Sequence, residues 1–179
     1  MNFFELFGVE RRLQLDGDWL QKRFYQLSRE FHPDRFAARP PTERLEAEQK
    51  SAMLNDAYRI LRDPIARAEY VLKQEGFDIG EQRTKDVPPE LLEEVFELNM
   101  ALEEARMGDE DARNQLRGMH QHFLEMRNGV DTELQSLYSA FDTAADGDGR
   151  EVLQRIRGVL NRRRYIRNLV SEVEKELAP

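Results

Sequence analysis

The chain has 179 residues, which suits one domain or two small ones, and its 27 basic and 35 acidic side chains give a formal net charge of −8. That balance argues against a general nucleic-acid binder, which needs a basic field to meet phosphate. The absence of cysteine excludes disulfides, thiolate nucleophiles and cysteine-ligated metal or iron–sulfur centres.

The first residues do not resemble a targeting signal. Residues 1–12 carry Glu5 and Glu10 and lack an apolar stretch followed by a cleavage site. Apolar runs elsewhere are only a few residues long, too short for a transmembrane helix. We therefore expect a cytoplasmic protein that makes no contact with a membrane.

Helical patterns account for residues 1–76. Asp16 is a plausible N-cap for a helix whose apolar residues recur at i, i+4, i+7 and i+11. Thr42 can cap the next helix, and Asp63-Pro64 begins a short one that runs to Gly76, a residue suited to the C′ position. The apolar positions of these three helices are Leu20, Phe24, Leu27 and Phe31, then Leu45, Met53, Ala57, Ile60 and Leu61, then Ile65, Ala68 and Leu72.

Residues 77–88 form a predicted linker, because a glycine-rich turn is followed by prolines that restart the chain. Residues 89–179 then show three helical patterns, from about Pro89 to Arg106, from about Asp109 to Phe141, and after Gly149. No segment alternates apolar and polar residues as a half-buried strand would. The sequence therefore predicts an all-α fold with a helical domain at 1–76 and a three-helix bundle at 89–179.

The tripeptide His32-Pro33-Asp34 lies in the turn between the first two long helices. Together with Asn55-Asp56-Ala57-Tyr58 and Asp63-Pro64 in the following helices, this pattern resembles the J-domain of DnaJ-type co-chaperones. The resemblance implies that His32, Pro33 and Asp34 stimulate ATP hydrolysis by a DnaK-class partner, while the J-domain itself does no chemistry.

A basic face precedes the tripeptide. Lys22 and Arg29 are seven residues apart on one side of the helix, with Arg23 nearby. In J-domains such a face meets an acidic patch of the chaperone ATPase domain, although three basic residues can also be a merely solvated surface. Tyr25 and Gln26 stand where many general J-domains have basic residues, which points to weaker binding of a generic chaperone or to a specialised one.

From Phe3-Phe4-Glu5-Leu6-Phe7-Gly8 to the last helix, the whole chain resembles the HscB family of iron–sulfur cluster co-chaperones. The resemblance implies an HscA-type chaperone as partner and an IscU-type scaffold protein as client. It also implies a role in iron–sulfur cluster transfer and protein maturation. Cluster-ligating cysteines found in some relatives are absent, so we expect no metal and no cofactor.

The helix at 89–106 carries two apolar stripes. Leu91, Val95, Leu98 and Leu102 form a core stripe, and a second stripe lies roughly 130° away. If the second stripe is exposed and edged by acidic residues, it is a docking surface for a protein. If it is buried against a neighbouring helix or domain, it is part of the core. The residues of this second stripe are Leu92, Phe96 and Met100.

Scaffold-binding positions of the HscB family match Leu92, Phe96, Glu97, Glu104 and Tyr165 here. Met100 stands where an acidic residue is common. Tyr165 lies among four arginines at 162–164 and 167, which could instead serve only to pair with the acidic helix and solvate the bundle.

Three rival functions differ in what they require. A J-domain protein serving another client would need the chaperone but not the IscU-type scaffold. A structural helical adaptor would need neither partner. A hydrolase using His32 and Asp34 lacks a third convergent group and a phosphate-cradling glycine loop, so we expect no enzyme activity.

Overall fold

The computed structural model describes residues 1–79, 87–145 and 147–179. Within these ranges the chain forms seven α-helices and two short 3-10 turns, and contains no strand, which confirms the all-α prediction. Most of the predicted linker lies outside the described residues. The helices are α1 (Phe3–Phe7), α2 (Gly17–Glu30), α3 (Pro41–Leu61), α4 (Pro64–Gln74), α5 (Leu92–Arg106), α6 (Glu110–Thr143) and α7 (Gly149–Leu177).

Two compact units divide the chain. The first comprises Met1–Phe77 together with Phe141–Thr143, the last turn of α6, and the second comprises Asp78–Ala140 and Ala144–Pro179. No helix in the described ranges is long and apolar enough to cross a bilayer.

The predicted helix ends of the first unit are mostly correct. Asp16 accepts hydrogen bonds from the backbone N–H groups of Asp18 and Trp19 and begins α2. Asp63 caps α4 in the same way. Gly76 follows the end of α4 with a φ of 79°, the left-handed conformation that glycine adopts without steric cost.

Helix α3 differs from its prediction at the first turn and along its face. Thr42 is not the N-cap: the helix begins at Pro41, and the capping residue, Pro40, makes no side-chain capping bond. Leu45 and Met53 are exposed rather than packed. Ala57 and Leu61 are buried as predicted, and Ala47 and Leu54 complete the buried face.

Two buried charged side chains fix the segment before α2. Arg67, only 5% exposed, donates to the carbonyl oxygens of Leu13 at 2.9 Å and Leu61 at 2.6 Å. Asp142, whose side chain is 2% exposed, accepts from the N–H groups of Leu13 at 2.6 Å and Gln14 at 2.8 Å. Leu13 is therefore held at both its N–H and its C=O, which satisfies backbone groups that burial removes from water.

Contacts between polar side chains show the directions of the three helices in the second unit. His120 contacts Glu174 at 2.9 Å and Asp131 contacts Arg163 at 2.7 Å, so α6 and α7 run antiparallel. Arg106, the last residue of α5, bonds to Glu176 near the end of α7, so these two helices run in the same direction. The apolar interior between them includes Leu98, Ala101, Leu116, Phe123, Leu134, Ile156, Ile166 and Val173.

Two candidate binding surfaces

The first candidate surface is built on the turn between α2 and α3. His32 caps a 3-10 turn, Pro33–Phe36, by accepting the N–H of Asp34 on its Nδ1 at 3.2 Å. Accepting on Nδ1 leaves the proton of the neutral ring on Nε2. The side chains of His32 and Asp34 are 56% and 92% exposed. The tripeptide therefore forms a hydrogen-bonded turn whose two polar side chains face solvent.

The basic residues of α2 are not equivalent. Lys22 and Arg29 are exposed, as a docking face requires. Arg23 is half-buried, and its Nε donates to the carbonyl oxygen of Phe7 at 3.1 Å. Arg23 therefore also holds α1 against α2, and its charge is less free to meet a partner than those of the other two.

A groove of about 440 Å³ adjoins the tripeptide. Its walls are formed by Tyr25, Ser28, Arg29, His32 and Arg35. Arg35 donates to the carbonyl oxygen of Arg29 at 3.3 Å, which draws its side chain back along the end of α2. Ser28 and Arg35 were not among the residues predicted for this surface, although Ser28 is three residues from Tyr25 on α2 and Arg35 directly follows the tripeptide.

The second candidate surface is the outer stripe of α5. Leu92, Phe96 and Met100 are 56%, 66% and 48% exposed, whereas Leu91 and Leu98 on the other face are buried. The stripe is thus not part of the core. Three large apolar side chains in a row on one helix form an exposed patch of the kind that marks protein interaction sites.

Helix geometry predicts that Tyr165 faces α5. Tyr165 precedes Glu176 by eleven residues, about three turns, and so shares the face of α7 that contacts α5 through Arg106. Counting the same three turns back from Arg106 along the parallel α5 reaches Val95. We therefore expect Tyr165, which is partly exposed, to lie near Phe96.

Acidic residues edge the stripe. Glu93, Glu97 and Glu104 follow it on its side toward α6, at about 20–140° around the helix from its residues. Arg162 and Arg163 of α7 form ion pairs with Glu133 and Asp131 of α6. Those two arginines thus pair with α6, and not with the acidic helix as the alternative interpretation supposed.

The described residues contain no group of three or more His, Asp or Glu side chains arranged to hold a metal ion.

Comparison with protein families divides the chain in two. Residues 2–70 match the DnaJ domain, and residues 87–174 match a family described as the HSCB C-terminal oligomerisation domain. A co-chaperone protein HscB homolog of Vibrio vulnificus is 38% identical over 175 residues, covering 97% of this chain and 95% of the relative. The chain belongs to the HscB co-chaperone family. It is a J-domain co-chaperone, and this family is not a class of enzymes.

Another relative and two solved structures support the assignment to the HscB family. A homolog from Vibrio atlanticus is 51% identical over 105 residues, an alignment that spans 58% of this chain and 61% of the relative. The structure of chaperone HscB from Vibrio cholerae superposes with a TM-score of 0.63 at 31% identity, covering 98% and 96% of the two chains. Human co-chaperone HscB gives a TM-score of 0.69 at 27% identity, covering 100% and 83%. The HscB resemblance and the all-α fold expected from the sequence are thereby confirmed.

Proposed function

We propose that this member of the HscB family stimulates ATP hydrolysis by a DnaK- or HscA-type chaperone and delivers an IscU-type scaffold protein to it. The delivery would support iron–sulfur cluster transfer and protein maturation. The observation that carries the proposal is the exposed apolar stripe of α5, because a J-domain alone explains the chaperone but not a client.

The chaperone half of the proposal rests on the turn at 32–34 and on Lys22 and Arg29. His32 and Asp34 are exposed on a 3-10 turn that is fixed by the bond from the Asp34 N–H to the histidine ring. The two exposed cations of α2 can steer an acidic ATPase domain toward that turn from a distance. Arg23 and Pro33 complete the proposed contact, Arg23 by holding α2 in place and Pro33 by fixing the turn.

The client half rests on the second unit. Leu92, Phe96 and Met100 would provide apolar anchors, and the partly exposed Tyr165 would add an aromatic side chain. Aromatic and large apolar side chains at the centre of an interface carry most of the binding free energy. Glu97 and Glu104 would form part of the polar rim around these anchors.

Carrying both surfaces on one chain increases the effective concentration of the client at the chaperone. Steady-state ATP turnover tests the proposal in three mixtures: HscA-type chaperone alone, chaperone with this protein, and both with IscU-type scaffold. We expect turnover to rise at each step. Stimulation that does not change when scaffold is added would favour a J-domain protein for another client, and no stimulation at all would contradict both halves.

A further inference from the structure

A cleft of about 580 Å³ lies between α5 and α6. Its α5 wall is acidic, with Glu93, Glu94 and Glu97. The α6 wall includes the glycine, thioether and imidazole of Gly118, Met119 and His122. None of the residues that line it is a lysine or an arginine.

Gly118 places no side chain on the α6 wall of the cleft. A Cβ atom added at this position would meet no other atom within 4 Å. Glycine inside a helix costs roughly 1 kcal/mol relative to alanine. A longer side chain at this position would therefore project into the cleft without a clash at its Cβ atom.

Glu94 supplies an unsatisfied acceptor in this region. Its Oε2 is buried and has no hydrogen-bond partner among the described residues. A buried carboxylate oxygen without a donor is unfavourable, because it has lost water without gaining a replacement. A cationic N–H donor brought from outside would satisfy this oxygen and meet two further carboxylates.

The cleft adjoins the apolar stripe of α5. Glu93 and Phe96 are three residues apart, as are Glu97 and Met100, so each acidic residue is a neighbour of an apolar one on the helix surface. A protein that covers Leu92 and Phe96 therefore also reaches the mouth of the cleft.

We propose that the cleft receives a lysine or arginine side chain of the client protein that docks on the stripe. This inference rests on the proposed function and adds the chemistry of the contact. The alkyl stem of the cation would pack along Met119 while its head meets Glu94, which suits a long side chain with an apolar body and a charged tip. The client is thus oriented with its basic residues toward α6 and its apolar residues on the stripe.

Gly118→Leu tests the inference because it fills the cleft without removing any proposed contact. We expect at least a tenfold rise in the Kd for IscU-type scaffold, with a melting temperature equal to or above that of the original protein. Gly129→Leu is the matched control, because it makes the same change on the same helix about 16 Å away. An added Cβ atom at Gly129 also meets nothing within 4 Å. We expect this variant to leave the Kd for the scaffold unchanged.

Glu94→Gln separates charge from shape. We expect weaker scaffold binding and a shallower dependence of the Kd on salt, because one screened charge pair is lost. Glu151→Gln, on the exposed first turn of α7, removes the same charge far from the cleft and should have no effect.

The outcomes distinguish a failure of the proposed function from a failure of the proposed cation contact. Original protein that binds no scaffold overturns the proposed function and this inference with it. Scaffold binding that is unchanged by both Gly118→Leu and Glu94→Gln overturns the inference alone. Self-association that Gly118→Leu abolishes, measured by sedimentation, would assign the cleft to a second copy of the chain and also overturn it.

Discussion

Leu92 and Phe96 allow the proposed client surface to be separated from the core of the bundle. We expect Leu92→Ala combined with Phe96→Ala to weaken scaffold binding strongly. Stimulation of the chaperone in the absence of scaffold should not change, because the J-domain surface is untouched.

The expected loss of binding free energy follows from the exposed area of Phe96. Phe96 is 66% exposed, so about 130 Å² of the roughly 200 Å² that a phenylalanine can bury is available to a partner. At about 25 cal/mol per Å², this area is worth about 3 kcal/mol, an upper bound because alanine retains part of the contact. A loss of about 2 kcal/mol for this residue alone corresponds to a Kd roughly 30-fold higher.

The cost to folding should be much smaller. Both side chains are already largely in water, so we expect the free energy of unfolding to fall by about 0.5 kcal/mol for each. Leu98, only 1% exposed, is the control on the core face, and Leu98→Ala should destabilise the bundle by roughly 2–5 kcal/mol.

Scaffold titration by calorimetry and thermal melts on the same samples supply the test. Unchanged affinity in the double variant would contradict the proposed docking surface. A melting temperature lowered as far as in Leu98→Ala would contradict the exposure on which the argument depends.

Three further changes test the first unit. His32→Gln should abolish stimulation of chaperone ATP turnover while circular dichroism stays unchanged; normal stimulation would remove the motif from the mechanism. Lys22→Ala with Arg29→Ala should slow association with the chaperone, by an amount that shrinks at high salt because exposed charges are screened over about 8 Å at physiological ionic strength; a loss that is independent of salt would exclude the basic face. Arg67→Ala should lower the free energy of unfolding by about 2–5 kcal/mol, because two buried carbonyl oxygens lose their donor; a denaturant midpoint within error of the original would show that water replaces the guanidinium.

Helix-capping rules, which depend only on neighbouring residues, predicted several helix ends. Asp16, Asp63 and Gly76 were identified correctly because a cap depends on a few adjacent residues. The rules were insufficient at α3, where Pro41 could occupy the first helical turn without any side-chain cap and displaced Thr42 from that role.

Tertiary contacts determined what the sequence left open. Periodicity located the stripe of Leu92 and Phe96 but could not show that no neighbouring helix covers it. Arg23 looked like part of a free basic face, and its bond to the Phe7 carbonyl depends on the packing of α1. The cleft at Gly118 was likewise invisible, because its two walls belong to separate helices.

The carboxylate of Asp142 has a consequence for the order in which the chain folds. It bonds to backbone N–H groups of Leu13 and Gln14, which precede it by 129 and 128 residues. During synthesis, α1 to α4 emerge from the ribosome long before this acceptor exists, so the N–H groups of Leu13 and Gln14 must wait unsatisfied or hydrated. Domains generally fold as units from the N-terminus during translation. Here the first unit acquires these two hydrogen bonds only after most of the second unit has been made, which links completion of the J-domain to the synthesis of the second unit.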